Sequence, residues 1–183
     1  DALGFILHEE SQRYIEIDEV VTIVGSLKSD LDIFLVFVNK ELEHVEKCLN
    51  KIPKAIPQFH GDEDQNFCNK FDQDFVKAIR VNADTNFEDM NNNFGKAKML
   101  LLDSCEEGLY GGSGKSFDWD LIGNKLKIPF LLAGGIDTIN VERALSSVSC
   151  KGIDVSSGVE HAPGIKDQAK VKDLIKKVRS FNV

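Results

Sequence analysis

The chain has 183 residues, 42% of them hydrophobic and 28% charged, and a formal net charge of −8. Such a composition fits one globular domain that buries roughly 70% of its unfolded surface, and it excludes disorder over most of the length. The acidic balance argues against a non-specific nucleic-acid binder, which would be basic, and no run of about 18 apolar residues marks a membrane helix.

Taken in order, apolar runs alternate with amphipathic ones. Ala2–Leu7 reads as a buried strand, and Val20, Ile23, Val24 and Leu27 then fall on one face of a helix. Ile33–Val38 is a second strand, and Leu42, Val45, Leu49 and Ile52 form the next helical stripe. Ala55–His60 is a third strand, with Pro57 inside it, where a missing N–H predicts a late start or irregular pairing. A short helix with Phe67, Cys68 and Phe71 follows, then strand Phe75–Val81, a weak helix near Phe87–Phe94 and strand Met99–Asp103. Phe117–Gly123 is a short helix at best. Phe130–Ala133 is the sixth strand, and Val141, Ala144, Leu145 and Val148 face one way on a helix that Asp137 is placed to cap. Gly152–Ser157 is the seventh strand, and Val171, Leu174, Ile175 and Val178 line a last helix whose other face is Lys-rich and solvated.

Strands apolar on both faces, each followed by a helix, predict a parallel sheet covered by helices. An open doubly wound sheet and a closed (β/α)₈ barrel both fit that alternation. The chain begins with a residue other than Met and runs at once into an apolar strand, which reads as entry in mid-fold, with no secretory signal. The cysteines Cys48, Cys68, Cys105 and Cys150 lie 20, 37 and 45 residues apart, and the four His are scattered. This spacing gives no zinc pattern and favours reduced thiols in a cytoplasm.

Chemistry is expected at the carboxyl ends of the strands. The first is followed by Ser11, Gln12, Arg13 and Tyr14, and the third ends in Gln58, Phe59, His60 and Gly61. Asp103 closes a wholly apolar strand, where a carboxylate is costly unless paired or functional. A Gly-rich stretch from Tyr110 to Trp119, containing Gly112, lacks the first Gly of a P-loop, since Leu109 stands there, and reads as a loop over a site. Gly134-Gly135 and Ser156-Ser157-Gly158 end adjacent strands, where backbone N–H groups can approach a phosphate closely.

These strings together resemble phosphoribosylanthranilate isomerase. The likeness is carried by Leu102-Asp103-Ser104, by Tyr110 to Trp119, by Ala133-Gly134-Gly135, by Asp154 to Glu160, by Pro163 to Asp167, by Gln58 to Gly61 and by Ser11 to Tyr14, in the family's order over the whole chain. The resemblance implies a (β/α)₈ TIM barrel as a single α/β domain over 1–183. It implies an Amadori rearrangement of N-(5-phosphoribosyl)anthranilate in tryptophan biosynthesis, with no metal or organic cofactor. It further implies Asp103 as general acid, Arg13 on the anthranilate carboxylate, His60 lining the pocket, and a substrate cradle of Gly112, Gly134, Gly135, Ser156, Ser157 and Gly158. The expected partner is a phosphorylated small molecule, with no nucleic acid or membrane, for a cytoplasmic monomer or homodimer. The family's first strand, Lys-x-Cys-Gly-Ile, carries its general base. That strand and its helix are expected to be missing here, leaving seven strands and a chain inactive alone. The other reading is a catalytically inactive phosphate-binding barrel remnant, and an in-frame Lys-x-Cys-Gly upstream would decide between them.

Overall fold

The apolar runs and stripes form the elements their periods call for. The computed structural model describes residues 1–28, 30–104, 118–123 and 125–181, in two compact units, Asp1–Lys77 and Ala78–Val183.

In the first unit, β1 (Ala2–Ile6), β2 (Asp32–Phe37) and β3 (Ile56–Phe59) pair in parallel, and β3 pairs with the start of β4 (Val76–Val81). Parallel neighbours need a crossover, supplied by α1 (Ile17–Ser26), α2 (Leu42–Lys51) and the single-turn α3 (Gln65–Cys68). The α1 stripe is narrower than its spacing predicts, because Val20 is fully buried and Ile23 is 38% exposed. Pro57 sits within β3 opposite Leu35 of β2, and pairing with β4 begins only at Gln58. The missing N–H therefore falls where the ladder with β4 has not begun. The core centres on Phe59, whose ring lies 6.3, 5.6, 5.4 and 6.1 Å from those of Phe37, Phe67, Phe71 and Phe75.

In the second unit, β4 continues to Val81, followed by α4 (Phe87–Asn93), β5 (Met99–Ser104), β6 (Phe130–Leu132), α5 (Val141–Ser147), β7 (Gly152–Ile153) and α6 (Gln168–Ser180). β5, β6 and β7 are parallel neighbours in that order. A 3₁₀ turn spans Trp119–Leu121. Three expectations change. The face of α5 ends at Leu145, because the helix stops at Ser147 and Val148 beyond it is extended (φ −139°, ψ 147°). The seventh strand stops at Ile153, because the β6 side of the ladder ends where Gly134 and Gly135 take positive φ (77° and 64°) and turn away. Asp137 caps the turn ahead of α5, accepting from the N–H groups of Ile139 (2.7 Å) and Asn140 (2.9 Å), while Asn140 holds the N-cap position itself. An antiparallel hairpin, β8 (Glu160–Ala162) and β9 (Ile165–Lys166), was not anticipated. It closes over Pro163-Gly164, with Gly164 at φ 78°. The Lys-rich face of α6 is exposed at Lys170, Lys172 and Lys176, as expected.

Because Phe59 touches four rings and is fully buried, Phe59→Ala should lower the unfolding free energy in urea by about 3–5 kcal/mol. Phe59→Leu should cost less than half as much. A loss below about 1 kcal/mol for the alanine variant would place the core elsewhere.

Candidate active site

The site is built outward from β5. Leu100, Leu101 and Leu102 are fully buried, and the next residue, Asp103, is 7% exposed. Register places Leu102 beside Leu132 and Leu132 beside Ile153. The ladder continues through Ala133 N–H to Leu102 O (2.8 Å) and Asp154 N–H to Leu132 O (2.9 Å). Asp103, Ala133 and Asp154 therefore share one row at the carboxyl ends of β5, β6 and β7. Two carboxylates flank a small residue, an arrangement that adjacent strand ends create and sequence spacing conceals.

Burial pushes the Asp103 carboxyl up to about 6. The Ser104 N–H, donating to Asp103 Oδ1 at 2.8 Å, pulls it down. The charge of Asp154 pushes it further up, and Arg80 of β4 draws it back. Burial dominates, because a carboxylate removed from water loses hydration that a single N–H does not replace. Asp103 thus holds its proton in part near neutral pH, which suits a group that must donate one.

Gly134 is required beside it. A Cβ there would stand 2.9 Å from Asp103 Oδ1 and 2.5 Å from the Ser104 N, and its φ of 77° disfavours other residues. Asn140 locks the following turn, donating to Gly135 O at 2.7 Å and accepting from Asp137 N–H at 3.0 Å. Gly158 packs so closely on the Ile136 carbonyl and the Asp137 Cα that no Cβ fits. The glycine-rich ends of β6 and β7 are therefore in direct contact. The hairpin supports the second of them. Lys166 Nζ donates to Ser156 O (3.0 Å), lies 3.4 Å from Ser156 Oγ and pairs with the buried Glu160 at 2.9 Å. Ser157 and Gly158 form a 3₁₀ turn just beyond.

Arg13 and His60 belong to the first unit. Arg13 lies in a loop that folds back on β1, its N–H bonded to Ser11 Oγ at 3.1 Å, and the next residue, Tyr14, bridges to Ile6. His60 follows β3 directly, its N–H donating to Phe37 O at 2.8 Å. The Gln58 side-chain nitrogen lies 3.0 Å from His60 Nε2. Gly112 lies outside the described residues. Arg80, Asn140, Asp154 and Lys166 escaped the sequence reading as site residues, although Asp154 stands in the same string as Ser156. Among the described residues no group of three or more His, Cys, Asp or Glu could hold a metal ion, and no helix is long and apolar enough to cross a membrane.

Residues 1–177 match the family described as N-(5'-phosphoribosyl)anthranilate isomerase. The chain is 38% identical over 175 residues to the N-(5'-phosphoribosyl)anthranilate isomerase of Neisseria gonorrhoeae, covering 96% of this chain and 84% of that one. It is 35% identical over 178 residues to that of Legionella pneumophila, covering 97% and 86%. Among solved structures, the phosphoribosyl anthranilate isomerase of Thermotoga maritima superposes with a TM-score of 0.86 at 33% identity, over 98% of this chain and 88% of that one. A phosphoribosyl anthranilate isomerase bound to reduced 1-(o-carboxyphenylamino)-1-deoxyribulose 5-phosphate gives 0.82 at 31%, over the same shares.

The raised Asp103 value has a thermodynamic consequence. The folded chain keeps this proton between the ordinary aspartate value of 3.8 and about 6, where the unfolded chain has lost it. Stability therefore falls as pH rises through that window and levels off above it. Relative to Asp103→Asn, which does not titrate, the protein should lose about 2 kcal/mol between pH 4 and pH 7. Urea melts of both proteins at several pH values would check this, and a constant difference would contradict it.

Proposed function

The chain belongs to the N-(5'-phosphoribosyl)anthranilate isomerase family, and from that premise we propose how its own residues carry the reaction. The protein is an intramolecular aldose–ketose isomerase of tryptophan biosynthesis. The reaction opens the ribose ring of N-(5-phosphoribosyl)anthranilate and moves the C2 proton, giving 1-(2-carboxyphenylamino)-1-deoxyribulose 5-phosphate. No atom is gained or lost. As the C1–O bond breaks, the ring oxygen takes a proton and the nitrogen lone pair forms the C1=N bond. Loss of the C2 proton then gives an enolamine that tautomerises to the ketone.

Asp103 is the acid that protonates the ring oxygen. The supporting observation is its buried carboxyl, held near 6 in one row with Asp154 at the carboxyl ends of β5 and β7. Arg13 takes the anthranilate carboxylate, for which its planar fork is suited. The phosphate lies on the backbone N–H groups of Gly135, Ser156, Ser157 and Gly158, and Gly134 completes the cradle. In a chain of net charge −8, such local donors are what draws in a dianionic group. His60 is read as a further substrate-binding residue. The C2 base is assigned to none of Cys48, Cys68 or Cys150. Burial pushes each of these thiols up, Cys68 to about 12, so a thiolate is disfavoured. Residues 1–183 are read as a single TIM-barrel-type α/β domain acting in the cytoplasm as a monomer or homodimer, with no nucleic-acid or membrane partner.

In the full-length protein, Asp103→Asn should lower turnover by at least ~10²-fold. The native kcat/KM should decline on the basic side with a midpoint near 6, as Asp103 ionises in the free enzyme. Arg13→Met should raise KM more than it lowers kcat. Turnover retained by Asp103→Asn would remove the acid from this position.

A further inference from the structure

The first unit contains a buried ion pair that the proposed chemistry leaves unused. Lys77 on β4 and Glu63, just past β3, are 4% and 3% exposed in their side chains and lie 3.2 Å apart. A pair this deep does little for stability, since apolar residues of similar size replace such pairs at little cost. Its geometry has another consequence. Lys77 Nζ donates to Phe59 O at 3.2 Å and to Gly61 O at 2.7 Å. These are the carbonyls on either side of His60. We propose that Lys77, aligned by Glu63, is a positioning residue that clamps the carbonyls of the two residues on either side of His60 and so fixes the direction of its imidazole ring.

The same turn is held from its other side. Glu63 Oε1 accepts from Asn39 N–H at 2.7 Å, and Asn39 Oδ1 accepts from Asp62 N–H at 2.7 Å. Asn39 sits at φ 49°, a left-handed conformation uncommon for residues other than glycine, in which asparagine is enriched. Gly61 has no room for a Cβ against the Asn39 side chain and backbone N. A buried charge, a left-handed asparagine and an obligate glycine thus converge on residues 59–63. Strain and buried charge concentrated on one turn are expected where a side chain must be aimed. With residues 59 and 61 held, the 3.0 Å contact between Gln58 Nε2 and His60 Nε2 is kept.

The proposal rests on the reading of His60 as a pocket residue, and the test separates the two. Full-length protein labelled with ¹⁵N-histidine is compared with Lys77→Met/Glu63→Leu, which removes the pair together, and with Lys77→Arg, which keeps the charge but not the compact three-way donor. Native His60 should show the nitrogen shifts of one fixed tautomer. Both variants should move them toward the average of two tautomers and lower kcat/KM by about 10- to 100-fold. Adding His60→Ala to the double variant should then cost nothing further. Unchanged His60 shifts in the variants, or losses that multiply with His60→Ala, would overturn the positioning role. A His60→Ala variant with native kcat/KM would instead overturn the pocket reading, and the nitrogen shifts would still decide the clamp.

Discussion

Placing a carboxylate at the end of three buried leucines is the constraint around which the second unit is organised. Desolvation of Asp103 is opposed by one backbone N–H and by Arg80, and is reinforced by Asp154 in the same row. What results is neither a neutralised ion pair nor a solvated acid, but a carboxyl poised between its two states. Ala133 separates the two carboxylates along the row, and a Cβ on Gly134 would press on Asp103 and on Ser104.

The first unit solves the same problem in the opposite way. Its buried charge at a strand end, Lys77, is met by Glu63 and by two backbone carbonyls, so that all three of its protons have acceptors. A fully satisfied polar network is stiff. The Lys77 charge is therefore matched on every side, whereas the Asp103 carboxyl is not.

Glycine and asparagine connect these ends to the loops beyond them. Gly158 brings the loop after β7 onto the backbone of Ile136 and Asp137, and Asn140 ties Gly135 into the turn ahead of α5. Asn39 performs the corresponding task in the first unit, joining the residue after β2 to the turn after β3. In both units a backbone-to-backbone approach that no other residue permits is secured by an asparagine side chain able to donate and accept at once.

The amino-acid sequence by itself determined the order and kind of the main elements, because fully buried strands and one-faced helices leave apolar periods that survive without coordinates. It also marked Asp103, since a charge closing an apolar run is conspicuous at any level of description. The hairpin Glu160–Lys166 was signalled only by Pro163-Gly164, because arms of two and three residues are too short to show a period. The early end of β7 was not legible at all, since it depends on positive φ at Gly134 and Gly135 in the neighbouring chain segment. Only tertiary structure could set Asp154 beside Asp103, 51 positions earlier, or seat Lys77 on the carbonyls around His60. Those relations arise from pairing between segments far apart in the chain, and which residues of two distant strands come to stand side by side cannot be read from either segment alone.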